Sequence, residues 1–414
     1  MVLPKGWIDC NLPILCNIKT GKMDANHERK DGKYRFYTCS STYTFCNTHS
    51  FNGECIIIPG NGDIGQVYYY NGQFEAYQRT YVLDDIHIMP KYLYYHMLWN
   101  WRYINSDKQY GSTIRYIRIG NFENYKIHLP PLAEQKRIIA KIDMLFLGLD
   151  KGVDYLHAIK AQLKTYRQAV LKWAFEGKLT GHLPSIFTDK NIGDFFDITG
   201  GLTKNSHRDD LLVKMPYLSV ANVYYNSLDL TVVKNIGVTK AEIERTRLLP
   251  NDLLFVEGNG SREQIGRVAS WNGEIDKCLH QNHIIKGRPN GSMIVKYALY
   301  YFMSKTGRDQ ILSIASSTSG LYTLSINKIK SLKIPYCALS EQNKIVTAIE
   351  SRLSVCDKIE QLIDENLIKA DALRQSILKK AFEGRLIPQD PDDESAVVLL
   401  ERIKAERSKK NGRK

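Results

Sequence analysis

Gly60-Asn61-Gly62-Asp63-Ile64-Gly65 has the glycine spacing of a dinucleotide-binding fingerprint, and Asp84 stands near the distance at which a ribose-binding carboxylate would follow. That chemistry requires the loop to open a helix, so that its amide dipoles face a pyrophosphate. Here Gln66-Val67-Tyr68-Tyr69-Tyr70 follows, which is strand-like, so the loop reads as a hairpin turn. The related Gly258-Asn259-Gly260 lacks a glycine at the third place. Leu129-Pro130-Pro131-Leu132 has the paired prolines of an amino-methyltransferase motif. Both flanks are leucine, where an Asp or Asn and an aromatic would hold the target amine, so the segment reads as a helix boundary. No P-loop, His-Glu-x-x-His, nucleophile elbow or nuclease carboxylate-lysine set is present.

The eight cysteines are Cys10, Cys16, Cys39, Cys46, Cys55, Cys278, Cys337 and Cys356. None forms a Cys-x-x-Cys pair, so they read as reduced structural thiols rather than as a zinc site or a secreted disulfide framework. No metal site is expected. With 57 Lys and Arg against 44 Asp and Glu, the net charge is +13, which makes a polyanion a plausible partner beside the alternative of a generic basic surface. His96 and His280 read as structural or DNA-facing rather than as ligands. No apolar run approaches the roughly 18 to 20 residues of a membrane helix, and the N-terminus lacks the layout of a signal peptide. The expectation is a soluble, cytoplasmic protein without a membrane partner.

What remains is a set of loops mixing Asn, Gln, Arg, Lys and Tyr. Arg or Lys suits guanine in the major groove, Asn or Gln suits adenine, and simple positive charge suits phosphate. The first block offers Lys19, Lys22, Arg29, Lys30, Lys33 and Arg35; the second offers Lys204, Asn205, Arg208 and Lys214. Asn61, Gln78, Arg79 and Arg115 have counterparts near Asn259, Arg262, Gln281 and Tyr322.

These loops must be carried by something, and the chain states the carrier twice. Residues 126–179 reappear without a gap as residues 333–386, 207 positions later, with 18 of 54 positions identical. Both copies open with Glu-Gln, at Glu134-Gln135 and Glu341-Gln342, and both close with Arg-Gln-x-x-Leu-Lys-x-Ala-Phe-Glu-Gly, at 167–177 and 374–384. In the first copy the apolar positions step by four and three: Ile138, Ile142, Leu145, Leu149, then Gly152, Leu156, Ile159, Leu163, Tyr166, Val170 and Trp173. This is a coiled-coil seam. Pro130 and Pro131 forbid an earlier start and Gly177 supplies a left-handed stop, predicting a helix over 133–176. The second copy presents Ile345, Ile349, Cys356, Ile359, Ile363, Ala370, Leu373 and Ile377 at the same phase, with Arg352 and Asn366 on the seam to fix register, Ser340 as N-cap and Gly384 as stop. Two such helices, each on the order of 65 Å long, are economically packed against each other. An internal pseudo-twofold makes them antiparallel; packing of each helix on its own globular neighbour is the alternative.

The remaining blocks read as mixed α/β and rich in short strands, with candidates at 54–58, 66–70, 253–256 and 267–271. They correspond weakly: Ile18-Lys19-Thr20-Gly21 with Ile198-Thr199-Gly200-Gly201, the Gly60 loop with the Gly258 loop, and Gln78 with Gln281. The expected fold class is α+β: two mixed α/β domains separated by two long antiparallel coiled-coil helices in an internal pseudo-twofold repeat. Its segments are 1–131 and 183–338 (the two domains), 132–182 and 339–388 (the two helices), and 389–414, a tail with a short helix over 395–407 and a solvated, mobile basic end at Lys409, Lys410, Arg413 and Lys414.

The two Glu-Gln-led helices, their two Ala-Phe-Glu-Gly-(Lys/Arg)-Leu ends, and Pro388-Gln389-Asp390-Pro391 followed by Leu400-Glu401-Arg402-Ile403 resemble the specificity (S) subunit of type I restriction-modification systems over the whole chain. The resemblance implies two target recognition domains, each reading one half of an asymmetric, bipartite site in double-stranded DNA, held apart by the helical spacer. It implies two modification (M) subunits that dock on the S subunit, bring S-adenosylmethionine and methylate adenine N6. It also implies restriction (R) subunits that translocate and cleave DNA with ATP and magnesium. Such a chain carries no catalytic residue and binds no cofactor itself; the target base is flipped into the M subunit. Two readings compete with this one. In the first, the chain is a coiled-coil scaffold for protein alone. In the second, it is a nucleotide-dependent enzyme built on the Gly60 loop.

Overall fold

The computed structural model describes residues 3–111, 113–181, 186–318 and 320–411. The chain divides into two compact units, residues 1–156 with 365–414, and residues 157–364. Its long helices span Leu132–Phe175 and Leu339–Phe382, so each begins in one unit and ends in the other. Their limits follow from local chemistry. Pro131 offers its carbonyl to the Gln135 N–H at 2.9 Å, which starts the first helix one residue before the expected position. At its end Gly177 takes φ +76° and the Lys178 N–H reaches back to the Trp173 carbonyl at 2.9 Å. The second helix ends in the same way, with Gly384 at φ +68° and Arg385 N–H on the Lys380 carbonyl at 2.7 Å. Ser340 is not the N-cap: the Ala338 carbonyl accepts from Glu341 and Gln342, placing Ser340 inside the first turn.

The helices pack against each other and run antiparallel. In the first unit Arg374 pairs with Asp150 and lies 5.1 Å from the centre of the Phe146 ring. In the second unit Lys160 pairs with Asp364 at 2.6 Å, and Arg167 with Asp357 at 2.6 Å and Glu360 at 2.9 Å. Numbers rise along one helix as they fall along the other. Ile138, Ile142, Leu163, Ile345, Ile349, Ile363 and Ile377 are buried as expected; Leu145, Leu149 and Leu156 are half-buried. The seam is not continuous, however. Leu373 is 49% exposed, and Ile159, Tyr166 and Trp173 are exposed as well. A real helix drifts about 20° per heptad from a 3.5-residue repeat. Near the helix ends burial therefore passes to Val170, Leu171 and Ala174, and to Ile377, Leu378 and Ala381, which pack into the globular cores. Asn366 is exposed and Arg352 is half-buried, donating to the Ala348 carbonyl of its own helix; the ion pairs above mark the register.

Two of the sheets in the first unit recur with the same strand order in the second. In the first, strands Asn17–Thr20, Thr80–Asp84, Glu54–Pro59 and Tyr68–Asn71 lie in that order, all antiparallel. In the second, Phe196–Gly200, Ile284–Pro289, Asp252–Val256 and Val268–Trp271 repeat the order. A smaller sheet, Thr44–Cys46, Tyr34–Tyr37 and Phe74–Ala76, is matched by Lys234–Gly237, Lys214–Leu218 and Leu279–His280, with the last pairing parallel in both. The Cys55-Ile56-Ile57-Ile58 and Leu253-Leu254-Phe255-Val256 runs are buried on both faces, which is why they read as unbroken apolar stretches. Glu54–Pro59 pairs antiparallel with Tyr68–Asn71, so the Gly60 loop joins two strands and opens no helix.

Repeated side chains tie a helix of each block to the strand that leads into a long helix. The Tyr92 hydroxyl donates to the His128 carbonyl at 2.6 Å, and Tyr297 to the Pro335 carbonyl at 2.5 Å. Seven cysteines are buried and Cys39 is half-buried; burial pushes the Cys10, Cys16, Cys55 and Cys278 thiols up to about 12.

The tail departs from expectation. Its helix runs Ala396–Asn411 and buries Ala396, Leu399 and Ile403 in the core that holds Trp7, Leu12 and Leu15. Arg407 donates to the Asn17 side chain at 2.9 Å, Lys410 pairs with Asp85 at 2.9 Å, and Asp393 of the acidic stretch grips Arg137. The described part of the basic end is docked, because an apolar stripe every three or four residues anchors it; Arg413 and Lys414 lie outside the described residues. So does the expected boundary at 182/183.

Candidate nucleic-acid interface

Two glycines set the frame. A Cβ on Gly21 would sit 2.0 Å from the Ala76 carbonyl oxygen, and one on Gly201 would sit 2.2 Å from that of His280. Only glycine lets the chain pass so close to the neighbouring strand, and both copies use it. In the first unit the Gln78 N–H then bonds the Met23 carbonyl at 2.9 Å, the Gly60 N–H bonds Arg79 at 2.9 Å, the Ile117 N–H bonds Gly60 at 2.9 Å, and the Gly62 N–H bonds Arg115 at 3.0 Å. This backbone frame gathers Asn61, Gln78 and Arg79 around a cavity of about 400 Å³, together with Thr20, Tyr81 and Tyr116. A neighbouring cleft of about 910 Å³ collects Lys19, Lys22, Ser50 and Arg118. Lys19 pairs with Asp84 at 2.6 Å. Arg118 lies 4.2 Å from the centre of the Tyr110 ring and donates to the Tyr116 hydroxyl at 3.0 Å. Sequence reasoning missed Arg118; the alternation of Arg115, Tyr116 and Arg118 was the available signal.

The second unit repeats the frame with different side chains. Asn282 N–H bonds Leu202 at 2.9 Å, Glu257 N–H bonds His283 at 2.9 Å, Leu324 N–H bonds Glu257 at 2.8 Å, and Asn259 pairs with Tyr322. Backbone position therefore equates Gln78 with Asn282, Arg79 with His283, Gly60 with Glu257 and Arg115 with Tyr322. The last pairing agrees with the sequence. The others correct it: Gln281 stands opposite Tyr77 and Asn259 opposite Gly62, each one residue from the expected place, and His283 rather than Arg262 takes the place of Arg79. Matching short glycine motifs by identity misplaced loops whose lengths differ, whereas hydrogen bonds fix them.

Other candidates fare differently. Lys22, Lys33, Arg79, Arg115, Lys204, Asn205, Lys214 and Arg262 are exposed, with Lys33 lying 5.3 Å from the Tyr34 ring centre and Arg115 bonding Gln109. Gln78 donates to Asp24 at 3.0 Å. Asn61 and Tyr322 are half-buried, and the Asn259 side chain accepts from the Ser261 N–H at 2.9 Å. Arg35 is held between the Tyr43 and Tyr70 rings at 4.2 and 4.5 Å. Arg208 is turned inward: it donates to the Thr203 and Gly237 carbonyls and to both oxygens of Glu242, whose carboxyl Arg208 pushes down to about 2. Its donors close the loop instead of facing solvent.

What the surface offers is bidentate amides, guanidinium and ammonium groups on a rigid frame, which is the equipment of base and phosphate contact. Among the described residues no group of three or more His, Cys, Asp or Glu is placed to hold a metal, and no helix is long and apolar enough to cross a membrane.

Comparison with known proteins agrees with this frame. Residues 4–164 and 184–369 match the family model described as the type I restriction modification DNA specificity domain. The chain is 30% identical to the type I restriction enzyme EcoDI specificity subunit of Escherichia coli, over all of this chain and 98% of that one. It is 32% identical to the EcoKI specificity subunit of Escherichia coli strain K12, over 73% of this chain and 68% of that one. Among solved structures, a chain from a study of complex assembly and conformational transition of the type I R-M system superposes with a TM-score of 0.68 at 17% identity, over 93% of this chain and all of that one. The HsdS subunit from Thermoanaerobacter tengcongensis gives 0.55 at 17% identity, over 93% and 98%.

Proposed function

Because the chain belongs to the family of type I restriction-modification specificity subunits, we propose that its two blocks, 1–131 and 183–338, each read one half of a bipartite, asymmetric site in double-stranded DNA. The observation that carries this reading is the pair of matching frames: one backbone arrangement occurs twice and presents Gly60, Gln78, Arg79 and Arg115 in one unit, and Glu257, Asn282, His283 and Tyr322 in the other. A scaffold repeated for stability alone has no use for two different polar surfaces on one frame. Two such surfaces suit two different half-sites. Segments 132–182 and 339–388 act as the spacer between them, and 389–414 closes the chain onto the first block.

In this reading the chain has no chemistry of its own. The Gly60 loop joins antiparallel strands and so lacks the helix amides that would cradle a nucleotide. S-adenosylmethionine belongs to two M subunits that dock on this chain and methylate adenine N6; ATP and magnesium belong to R subunits that cleave DNA, all in the cytoplasm. The test is reconstitution. The chain purified free of partners should transfer no methyl group and cut no DNA, and methylation should appear on adding an M subunit. Activity in the partner-free chain would contradict the proposal, and failure to retain duplex DNA at low salt even with the M subunit would favour a protein-only scaffold.

A further inference from the structure

Within the second frame one substitution is chemically conspicuous. Gly60, which has no side chain, lines the open cavity of about 400 Å³ in the first unit. Its equivalent is Glu257, whose side chain is 29% exposed and accepts from His283 Nδ1 at 3.1 Å. His283 stands in turn where the first unit has Arg79, and its side chain is 50% exposed. A carboxylate on a surface that faces a polyanion is repelled by it, unless it receives a hydrogen bond from the nucleic acid. In the major groove, only the exocyclic amino groups of cytosine and adenine donate, and the carboxylate pairing is with cytosine N4. Gly258 beside it places its backbone against the same pair: a Cβ there would lie in ordinary contact, 3.7 Å from His283 Nδ1 and 4.0 Å from the Tyr322 carbonyl oxygen.

We propose that Glu257 is a base-reading residue that accepts a hydrogen bond from a cytosine amino group in the second half-site, and that His283 is its positioning residue. The inference rests on the reading of the two blocks as DNA readers. His283 fixes the carboxylate rotamer by donating through Nδ1 to Glu257 at 3.1 Å. Arg79 at the matching place suits guanine, so the two half-sites differ in kind at equivalent positions.

The test uses the full chain assembled with its M subunit and a pool of duplexes randomised in both half-sites. The wild-type protein should select a C·G pair at one position of the second half-site, by about 5- to 150-fold. Glu257→Met, which has about the same size and no acceptor oxygen, should lose that preference while selection at the other positions of the second half-site stays unchanged, which verifies that this block is folded in the same sample. His283→Ala should weaken the preference, and His283→Gln, which still donates, should restore it. A second half-site containing no C·G pair overturns the assignment without recourse to any variant, as does a Glu257→Met protein that selects the complete wild-type motif. If the wild-type protein selects nothing in the second half-site, the reading of that block falls and this assignment falls with it.

Discussion

Arg167 pairs with Asp357 at 2.6 Å, and the residues that repeat them, Arg374 and Asp150, make the same ion pair with the copies exchanged. Each arginine reaches the aspartate of the other copy. The repeat is therefore not two helices that happen to look alike; each complements the other at equivalent points, as in an isologous contact.

That register makes a length change testable. One heptad added to the first helix after Ala161 must be matched by one in the second at the antiparallel depth, after Ile363, since Lys160 pairs with Asp364. Seven residues lengthen the spacer by about 10 Å. At about 3.4 Å per base pair this is roughly three base pairs, over which DNA also rotates by about a hundred degrees. Selection from duplexes of varied spacer should give a longer preferred spacing or loss of binding. An unchanged spacing at full affinity would show that the helices are not the ruler.

The buried glutamines of the two Glu-Gln pairs do one job twice. Gln135 accepts from the Met89 N–H at 3.1 Å and donates to the Pro130 carbonyl at 3.0 Å; Gln342 accepts from Ile294 at 2.9 Å and donates to Cys337 at 2.8 Å. Each clamps the start of a block helix to the start of a long helix. Replacing either with leucine orphans two buried backbone groups, at about 1 to 3 kcal/mol each. The urea midpoint should fall accordingly for both variants.

Burial holds His280 down to about 3 and His96 well below the ordinary histidine range. The unfolded chain takes up these protons near pH 6.5 and the folded chain does not, so stability is full above about pH 6.5 and is lost as pH falls below it. Each histidine should contribute about 1.4 kcal/mol of loss per pH unit. Urea denaturation at pH 7.5 and 5.5 measures the difference, and a flat profile would contradict it. Glu242, held at about 2 by Arg208, acts only below about pH 4.3 and leaves this window unaffected.

Charge removal should sort the exposed candidates. Lys22→Ala or Lys204→Ala should weaken binding to all sequences and lower the salt slope by about one unit where the residue meets a phosphate. Arg79→Ala should cost about 1 to 3 kcal/mol on cognate DNA alone. Arg208→Ala should instead lower stability, since its guanidinium closes the 203–242 loop. Equal losses on cognate and random duplexes would remove Arg79 from base reading.

Much of the architecture was legible because its signals are local. Pro130-Pro131, Gly177 and Gly384 bound helices by steric rules that act within a turn, and the apolar stripe of Ile138, Ile142, Ile345 and Ile349 reports burial directly. What escaped depends on contacts made at a distance. Nothing near Arg208 announces that Glu242 will take its guanidinium, and the exposure of Leu373 and Trp173 follows from a slow angular drift that shows only over the length of a helix. Glu257 was hidden for another reason: its equivalence to Gly60 lives in backbone hydrogen bonds, not in residue identity.

The central claim is that two independent readers share one chain, and it is tested most directly by mapping N6-methyladenine in cells where residues 183–338 are replaced by the matching block of a relative. One half of the methylated motif should change and the other should remain intact. A motif altered in both halves, or in neither, would contradict the account.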